Sequence, residues 1–198
     1  MEYILNEDEA APHPPARAAV VCHPHPLYGG TMHTKIVFWT AQVLARRGWP
    51  VLRFNFRGVG QSAGVHDRGV GEQQDLEAAI AFLHSRYAVP LVLAGFSFGA
   101  ATLVRSLAAR PHAETAQAVL LGLPVNGGAL PTAWAWQGPK LMISGDQDEF
   151  GALPALESWY QALPEPKARV WIPGGDHFMS GHAEAFRAAL NAWLPTPA

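Results

Sequence analysis

Residues 89–110 read VPLVLAGFSFGAATLVRSLAAR, and this stretch decides the fold that the rest of the chain must adopt. Residues 91–94 form an apolar run between Pro90 and Gly95, which is typical of a short buried strand. From Ala100 onward the apolar residues recur at helical spacing. The sequence therefore predicts a strand that runs into a helix with almost no loop between them.

The junction between this strand and this helix is the pentapeptide Gly95-Phe96-Ser97-Phe98-Gly99. Ser97 must turn a strand into a helix within about one residue, which strains its backbone and favours glycine two positions away on either side. Such a turn lifts the hydroxyl above the sheet edge, at the positive end of the helix. A serine that only capped the helix would not require so tight a turn. We interpret Ser97 as a candidate nucleophile.

Length and composition favour one α/β domain over residues 1–198, because a chain of 198 residues suits a single core and 49% of it is hydrophobic. The net charge of −2 offers no basic patch for nucleic acid. Cys22 is the only cysteine, which excludes an intrachain disulfide and favours a reducing compartment. Neither a leader-like segment nor a long apolar run is present. We expect a cytoplasmic protein without a membrane partner, and the oligomeric state stays open.

Apolar patterning along the chain alternates between the strand and helix types. Strands are predicted over 18–22, 51–56, 91–94, 118–121, 141–144 and 169–172, with a further edge strand over 3–5. Amphipathic stripes predict helices over 36–44, 100–108, 153–163 and 186–193. A further stripe over 76–87 predicts a helix that has Glu72 and Asp75 on its polar side, after a loop over 66–71. Residues 11–15 read as a proline-rich loop. This alternation predicts a mostly parallel central sheet with helices on both faces and a site at the carboxyl ends of the strands.

Two polar turns follow predicted strands downstream of Ser97. The turn after 141–144 contains Asp146 and Asp148, and the turn after 169–172 contains His177. A serine hydroxyl needs a base to take its proton, and the base needs a third group to orient it. Because both turns lie at strand ends, they deliver side chains to the same sheet edge as Ser97. The order serine, acid, histidine along the chain is that of the α/β-hydrolase triad.

Five motifs together carry a resemblance that covers essentially the whole chain: HPHPLYGGTMH at 23–33, FNFRGVGQSAG at 54–64, GFSFG at 95–99, GDQDEF at 145–150 and GGDHF at 174–178. With them the chain resembles the small, lidless α/β-hydrolases of the esterase and dienelactone-hydrolase-like kind. The resemblance implies an α/β-hydrolase fold without a cap domain, and a serine hydrolase that cleaves small carboxylic esters through an acyl-enzyme without a cofactor. Thioesterase, peptidase or acyltransferase chemistry on the same residues stays open, as does a non-catalytic ligand-binding role.

The same resemblance implies roles for three residues. Ser97 is the nucleophile, His177 is the base and Asp148 is the orienting acid. Asp146 is the alternative acid, although the family pattern places the acid at the last residue of a Gly-x-x-Asp turn and leaves Asp146 as a turn residue. We interpret Asp176 as a turn residue as well.

An oxyanion hole needs two N–H donors aimed at the developing charge. The first is expected from Phe98, the residue after the nucleophile. The second is expected from the loop after the 18–22 strand, where the two prolines of the HPHP sequence have no N–H. The resemblance implies the N–H of His25, and Leu27 is the alternative.

Two other classes of site are disfavoured. His23, His25 and His33 have no acidic or thiolate partner at ligand spacing, so no metal site is expected. The glycines at 58, 60 and 64 do not match GxGxxG, and no helix is predicted to begin there, which argues against a dinucleotide site. We instead expect Arg57 to tie this loop to an acid such as Asp67 or Asp75.

Residues 126–138 are the segment in which larger relatives of this fold carry a cap, and they are too few for a helical lid. An open site suited to small soluble esters follows from this. Four aromatic residues are candidate walls of that site, and a place in the core is the alternative for each of them: Trp134, Trp136, Phe150 and Phe178.

Overall fold

The computed structural model describes residues 1–7 and 14–195. Within these residues the chain forms a seven-stranded sheet in the order β1-β3-β2-β4-β5-β6-β7. β1 pairs antiparallel with β3 and the other pairs are parallel. The strands are β1 (Tyr3–Asn6), β2 (Ala18–Cys22), β3 (Val51–Phe54), β4 (Leu91–Phe96), β5 (Thr115–Leu121), β6 (Lys140–Gly145) and β7 (Lys167–Ile172).

Five α-helices cover the two faces of this sheet in the described part of the chain: α1 (Lys35–Ala45), α2 (Gly71–Tyr87), α3 (Phe98–Ala109), α4 (Leu153–Gln161) and α5 (Ala183–Trp193). The apolar stripes of α2, α3 and α4 pack on one face, and those of α1 and α5 pack on the other. This arrangement confirms the predicted α/β architecture with a mostly parallel sheet and helices on both faces.

Several predicted strand boundaries are wrong: β5 begins at Thr115 and not at 118, and β4 ends at Phe96 and not at 94. The strand predicted over 51–56 ends at Phe54, because the N–H of Phe56 donates to His23 Nε2 instead of to a neighbouring strand. This polar contact is not recorded in the apolar pattern. α2 begins at Gly71, so Glu72 lies in the helix as predicted, but its side chain is buried and not on a solvent-exposed face. Residues 11–13 of the predicted proline-rich loop lie outside the described residues.

The connection between β5 and β6 leaves the carboxyl edge of the sheet open. It contains one short 3-10 turn, Val125–Gly127, and no helix. Trp134 and Trp136 are 5% and 6% exposed and pack in the core, so of the two alternatives for them the core position holds and the cavity-wall position is wrong. The indole N–H of Trp136 donates to the carbonyl of Thr115 on β5, which ties this ring to the sheet, and that of Trp134 donates to the carbonyl of Pro131 within the connection itself.

Candidate active site

Ser97 occupies a turn of one residue between β4 and α3. Its backbone has φ 55° and ψ −117°, a left-handed conformation that is strained for a residue other than glycine. The turn is fixed on both sides, because the N–H of Ser97 donates to the carbonyl of Leu121 at 2.9 Å and its carbonyl accepts from Ala101 at 3.0 Å. The predicted strand–turn–helix junction is therefore present, with the hydroxyl at its tip.

The two glycines around Ser97 are required by close backbone packing. A Cβ on Gly99 would lie 2.6 Å from the carbonyl oxygen of His23, and a Cβ on Gly95 would lie 2.5 Å from the carbonyl carbon of Gly99. Real side chains do not approach backbone atoms this closely. Only glycine lets the start of α3 lie directly against the end of β2.

The structure brings Ser97, His177 and Asp148 together, from the ends of β4, β7 and β6. His177 Nε2 lies 2.9 Å from Ser97 Oγ, and His177 Nδ1 lies 2.8 Å from Asp148 Oδ2. The three residues are 9%, 2% and 4% exposed. Both contacts are hydrogen bonds when the neutral imidazole carries its proton on Nδ1. The Nδ1–H then donates to the Asp148 carboxylate, and Nε2 accepts from the Ser97 hydroxyl.

The two candidate acids make different contacts. Asp148 Oδ1 accepts the backbone N–H groups of Phe150 and Gly151 at 2.9 and 3.2 Å, which fixes the carboxylate beside His177. Asp146 Oδ1 instead accepts the N–H of Gly174 at 2.8 Å and ties the two polar turns together. The structure thus places Asp148 at the imidazole and gives Asp146 a turn contact.

The remaining acids of the two turns also lie away from the imidazole. Asp176 Oδ1 accepts the N–H of Ser180 at 2.8 Å, as expected of a turn residue, and this backbone hydrogen bond lowers its pKa. The Glu149 side chain is exposed. Asp148 is thus the acid of these turns that is held against His177.

Gly122 is a site residue that sequence reasoning missed. It follows β5 with φ 50°, and a Cβ there would lie 2.8 Å from the Phe96 ring and 3.2 Å from His177 Cε1. Three aromatic rings, Phe96, Phe150 and Phe178, have centroids 4.9, 4.6 and 5.1 Å from that of His177. The imidazole therefore fills a slot that a side chain at position 122 would narrow. The available signal was a glycine directly after a predicted strand.

The backbone donors expected at an oxyanion hole differ in their hydrogen bonding. Phe98 begins α3, so its N–H has no acceptor within the helix. The N–H of Leu27 donates to His25 Nδ1 at 3.2 Å, whereas the N–H of His25 has no acceptor among the residues that the structure describes. This difference favours His25 over Leu27 as the second donor. Gly30 allows the loop to close, since a Cβ there would lie 2.7 Å from the His25 carbonyl oxygen.

His23 is a buried structural residue at the base of this loop. Its Nε2 accepts the N–H of Phe56 at 3.0 Å and its Nδ1 lies 2.6 Å from the carbonyl of Pro24. Burial lowers the pKa of His23 to about 4, so the ring is neutral and joins two loops of the site. His33 is exposed, and no cluster of three metal-ligating side chains occurs within residues 1–7 and 14–195.

The glycine-containing loop after β3 is stabilised by the predicted arginine contact. The guanidinium of Arg57 reaches both carboxylate oxygens of Asp75, with its shortest contact at 2.9 Å, and the backbone N–H of Arg57 donates to the same carboxylate. The prediction that Arg57 ties this loop to an acid is confirmed for Asp75. The loop also closes on itself, since the N–H of Gly58 donates to the carbonyl of Ser62.

A cavity of about 770 Å³ opens above Ser97, a size typical of small-molecule sites. Phe150 and Phe178 line it as predicted, next to His177. Two arginines that sequence reasoning did not single out, Arg68 and Arg105, also line it. No helix in the part of the chain that the structure describes is both long and apolar enough to cross a membrane.

Comparison with known proteins gives consistent results. A family model described as an alpha/beta hydrolase domain matches residues 18–187. An uncharacterized protein of Rickettsia prowazekii is 33% identical over 199 residues, covering 92% of this chain and 80% of its own. An alpha-beta serine hydrolase homologue from Coxiella burnetii superposes with a TM-score of 0.87 at 33% identity, covering 98% of this chain and 91% of its own. A Xanthomonas campestris protein described as an a/b serine hydrolase without lid also superposes with a TM-score of 0.87 at 33% identity. The match covers 99% of this chain and 90% of that protein.

Proposed function

The chain belongs to the α/β-hydrolase family and resembles its lidless serine hydrolases, and from this premise we propose that it hydrolyses small carboxylic esters through an acyl-enzyme. The observation that carries the proposal is the hydrogen-bonded chain from Ser97 Oγ through His177 to Asp148, with contacts of 2.9 and 2.8 Å. Such a chain is the arrangement that activates a serine hydroxyl.

In the first half of the proposed reaction, Ser97 Oγ attacks the acyl carbonyl carbon while its proton passes to His177 Nε2. The tetrahedral intermediate then collapses, the bond to the alcohol oxygen breaks, and His177 gives its proton to that oxygen. The alcohol leaves and the acyl group remains on Ser97 as an ester. Asp148 keeps the proton on Nδ1 and stabilises the imidazolium that forms between the two steps.

In the second half, a water molecule attacks the acyl-enzyme and gives its proton to His177. The bond to Ser97 Oγ breaks, the serine recovers the proton, and the carboxylic acid is released. In both halves the N–H groups of Phe98 and His25 are proposed to stabilise the negative charge on the carbonyl oxygen. Neither N–H has an acceptor among the described residues, so both are available for this role.

Small, soluble esters are the proposed substrates because the β5–β6 connection supplies no helix over the cavity. We further propose that residues 1–198 act as one domain and that the protein works in the reducing cytoplasm. The single cysteine, Cys22, is 1% exposed, and burial raises the pKa of its thiol, so it has no part in the reaction.

Hydrolysis of p-nitrophenyl acetate and butyrate by the purified protein tests the proposal. We expect turnover by the wild type and by Ser85→Ala, an exposed serine on α2 that serves as the matched control. Ser97→Ala is expected to lower kcat by about 10⁶-fold, to near background. Unchanged turnover in Ser97→Ala would overturn the assignment. Faster turnover of an acyl-CoA than of any ester would replace esters by thioesters as the substrate class.

A further inference from the structure

One end of the cavity carries positive charge that the proposed reaction does not use. Arg68 and Arg105 line the cavity, and no aspartate or glutamate is among its lining residues. Arg68 lies in the loop between β3 and α2, and the sheet order places β3 on the opposite side of β4 from β7, which carries His177. The arginines therefore lie at the end of the cavity away from the imidazole.

Arg105 is built into the helix that begins at the nucleophile. Phe98, Ala101 and Arg105 all line the cavity, and their spacing places them on one face of α3. The helical rise puts the Cα of Arg105 about 12 Å along the axis from that of Ser97, and helical side chains lean back toward the N-terminus. Arg105 is half-buried, and this burial lowers its pKa with no carboxylate offsetting the effect.

Arg68 is held in place by a buried carboxylate. Its backbone has φ 53°, a left-handed conformation that is costly for arginine. Glu72, which is fully buried, accepts the N–H groups of the residues on both sides, Asp67 at 2.9 Å and Gly69 at 2.7 Å. These two hydrogen bonds fix the strained turn that presents Arg68 to the cavity.

The turn that carries Arg68 also lies against Arg105. A Cβ on Gly69 would lie 3.6 Å from Arg105 Nη1 and 3.8 Å from the Phe98 ring. Among the residues that the structure describes, neither Arg68 nor Arg105 has a hydrogen-bond or ion-pair partner. Arg57 and Arg53 differ, since Arg57 binds Asp75 and Arg53 donates to the carbonyl of Met32.

Two guanidinium groups without a hydrogen-bonded partner, at one end of a cavity that no carboxylate lines, can bind an anion, since arginine matches carboxylate and phosphate geometry. We propose that Arg105 and Arg68 form an anion subsite, so that the ester cleaved at Ser97 carries a carboxylate or phosphate group in its acyl or its alcohol part. This inference rests on the proposed ester hydrolysis and adds the class of ester.

Matched pairs of esters that differ only in charge test the proposal. The acyl-side pair is the mono-p-nitrophenyl ester of suberic acid and the same compound with its free carboxyl methylated. The alcohol-side pair is the butyrate ester of p-hydroxybenzoate and that of methyl p-hydroxybenzoate. The enzymes are the wild type, Arg105→Gln, Arg105→Lys and Arg68→Gln. Arg46→Gln is the control, because Arg46 is an exposed arginine at the end of α1.

For the wild type and Arg46→Gln we expect kcat/KM to favour the anionic member of one pair by about tenfold at low salt, the size of one charge-assisted hydrogen bond. The preference is expected to fall as salt is added and to disappear in Arg105→Gln, with partial retention in Arg105→Lys. The pair that shows it identifies which part of the ester carries the anion. Equal rates within both pairs, or a preference that survives both glutamine variants, would overturn the proposal.

Failure of ester hydrolysis itself is recognised separately, because the neutral esters would then not turn over either. In that case calorimetry on Ser97→Ala protein still tests the subsite, with monomethyl suberate and dimethyl suberate as the probes. Binding that favours the anionic probe in Ser97→Ala, and is lost in the double variant with Arg105→Gln, supports the subsite. Equal or absent binding of the two probes contradicts it.

Discussion

The two ends of the cavity differ in whether their polar side chains have hydrogen-bond partners. At the end that holds His177, every polar side chain has a partner: Ser97 contacts the imidazole, the imidazole contacts Asp148, and Asp148 accepts two backbone N–H groups. At the other end, Arg68 and Arg105 have no hydrogen-bond or ion-pair partner within the described residues. The first end is buried and internally satisfied, and the second is charged and open to the cavity.

This difference separates the chemistry from the choice of substrate. A proton relay requires fixed distances, which a closed set of hydrogen bonds on strand ends supplies. Binding a charged ligand requires groups that are not already paired, and their rigidity must come from elsewhere. Here Glu72 supplies that rigidity, because its carboxylate accepts the backbone N–H groups of Asp67 and Gly69 on either side of Arg68. The two ends should therefore respond differently to substitution.

The largest expected effect is at the buried end. Asp148→Asn is expected to lower kcat by about 10⁴-fold, because the amide favours the wrong imidazole tautomer and removes the charge that stabilises the imidazolium. Asp146→Asn is the matched control, since Asp146 contacts the N–H of Gly174. Steady-state kinetics on p-nitrophenyl butyrate measure both. A larger loss in Asp146→Asn than in Asp148→Asn would show that the acid is the other aspartate.

An intermediate effect is expected at His23, which joins the loop after β2 to the loop after β3 that carries Arg68. Its folded pKa of about 4 lies below the ordinary value of 6.5, so the unfolded chain takes up a proton first as the pH falls. The free energy of unfolding should therefore decrease below pH 6.5, by about 1.4 kcal/mol per pH unit, and level off near pH 4.

Urea unfolding of the wild type and of His23→Gln, at a series of pH values, isolates this contribution. The wild-type curve should fall more steeply than that of the variant between pH 6.5 and 4. Parallel curves would mean that His23 is not the buried neutral group described here.

The smallest expected effect is at Glu72. Glu72→Gln removes one of the two carboxylate acceptors that hold Asp67 and Gly69, so Arg68 loses its fixed position. The preference for the anionic ester should fall by about threefold, at a cost in stability of about 1–3 kcal/mol for the unsatisfied N–H. The ratio of kcat/KM within the ester pair and the unfolding midpoint measure the two effects. A lowered unfolding midpoint together with an unchanged ratio of kcat/KM would show that Glu72 contributes to stability and not to the choice of ester.

The fold and the buried end of the cavity could be predicted from the sequence because both leave local patterns. GFSFG between a strand and a helix, and polar turns at two later strand ends, indicated Ser97, His177 and the pair of acids. The resemblance favoured Asp148 over Asp146, but the residues alone left both open because both follow the same strand, and their different contacts are visible only in three dimensions. Arg57 could be assigned a structural role from the sequence, which left Asp67 and Asp75 open as its partner, and the structure shows Asp75.

The charged end left no such pattern. Arg105 stands in an ordinary helical position, and among the described arginines it is distinguished by being half-buried in a cavity without a hydrogen-bond or ion-pair partner. Glu72 looks like a normal acid in a first helical turn, and its burial depends on the path of the preceding loop. For Trp134 and Trp136 the sequence left a core position and a cavity-wall position open, because tryptophan suits both equally well. Such features depend on which groups pair in space, and residue spacing does not encode that pairing.

Covalent labelling with a fluorophosphonate tests the central claim, that the turn after β4 holds an activated serine, most directly. Peptide mapping by mass spectrometry is expected to locate a single adduct on Ser97, and labelling should be lost in Ser97→Ala and in His177→Ala. An adduct on another residue, or labelling that is undiminished in Ser97→Ala, would contradict the account.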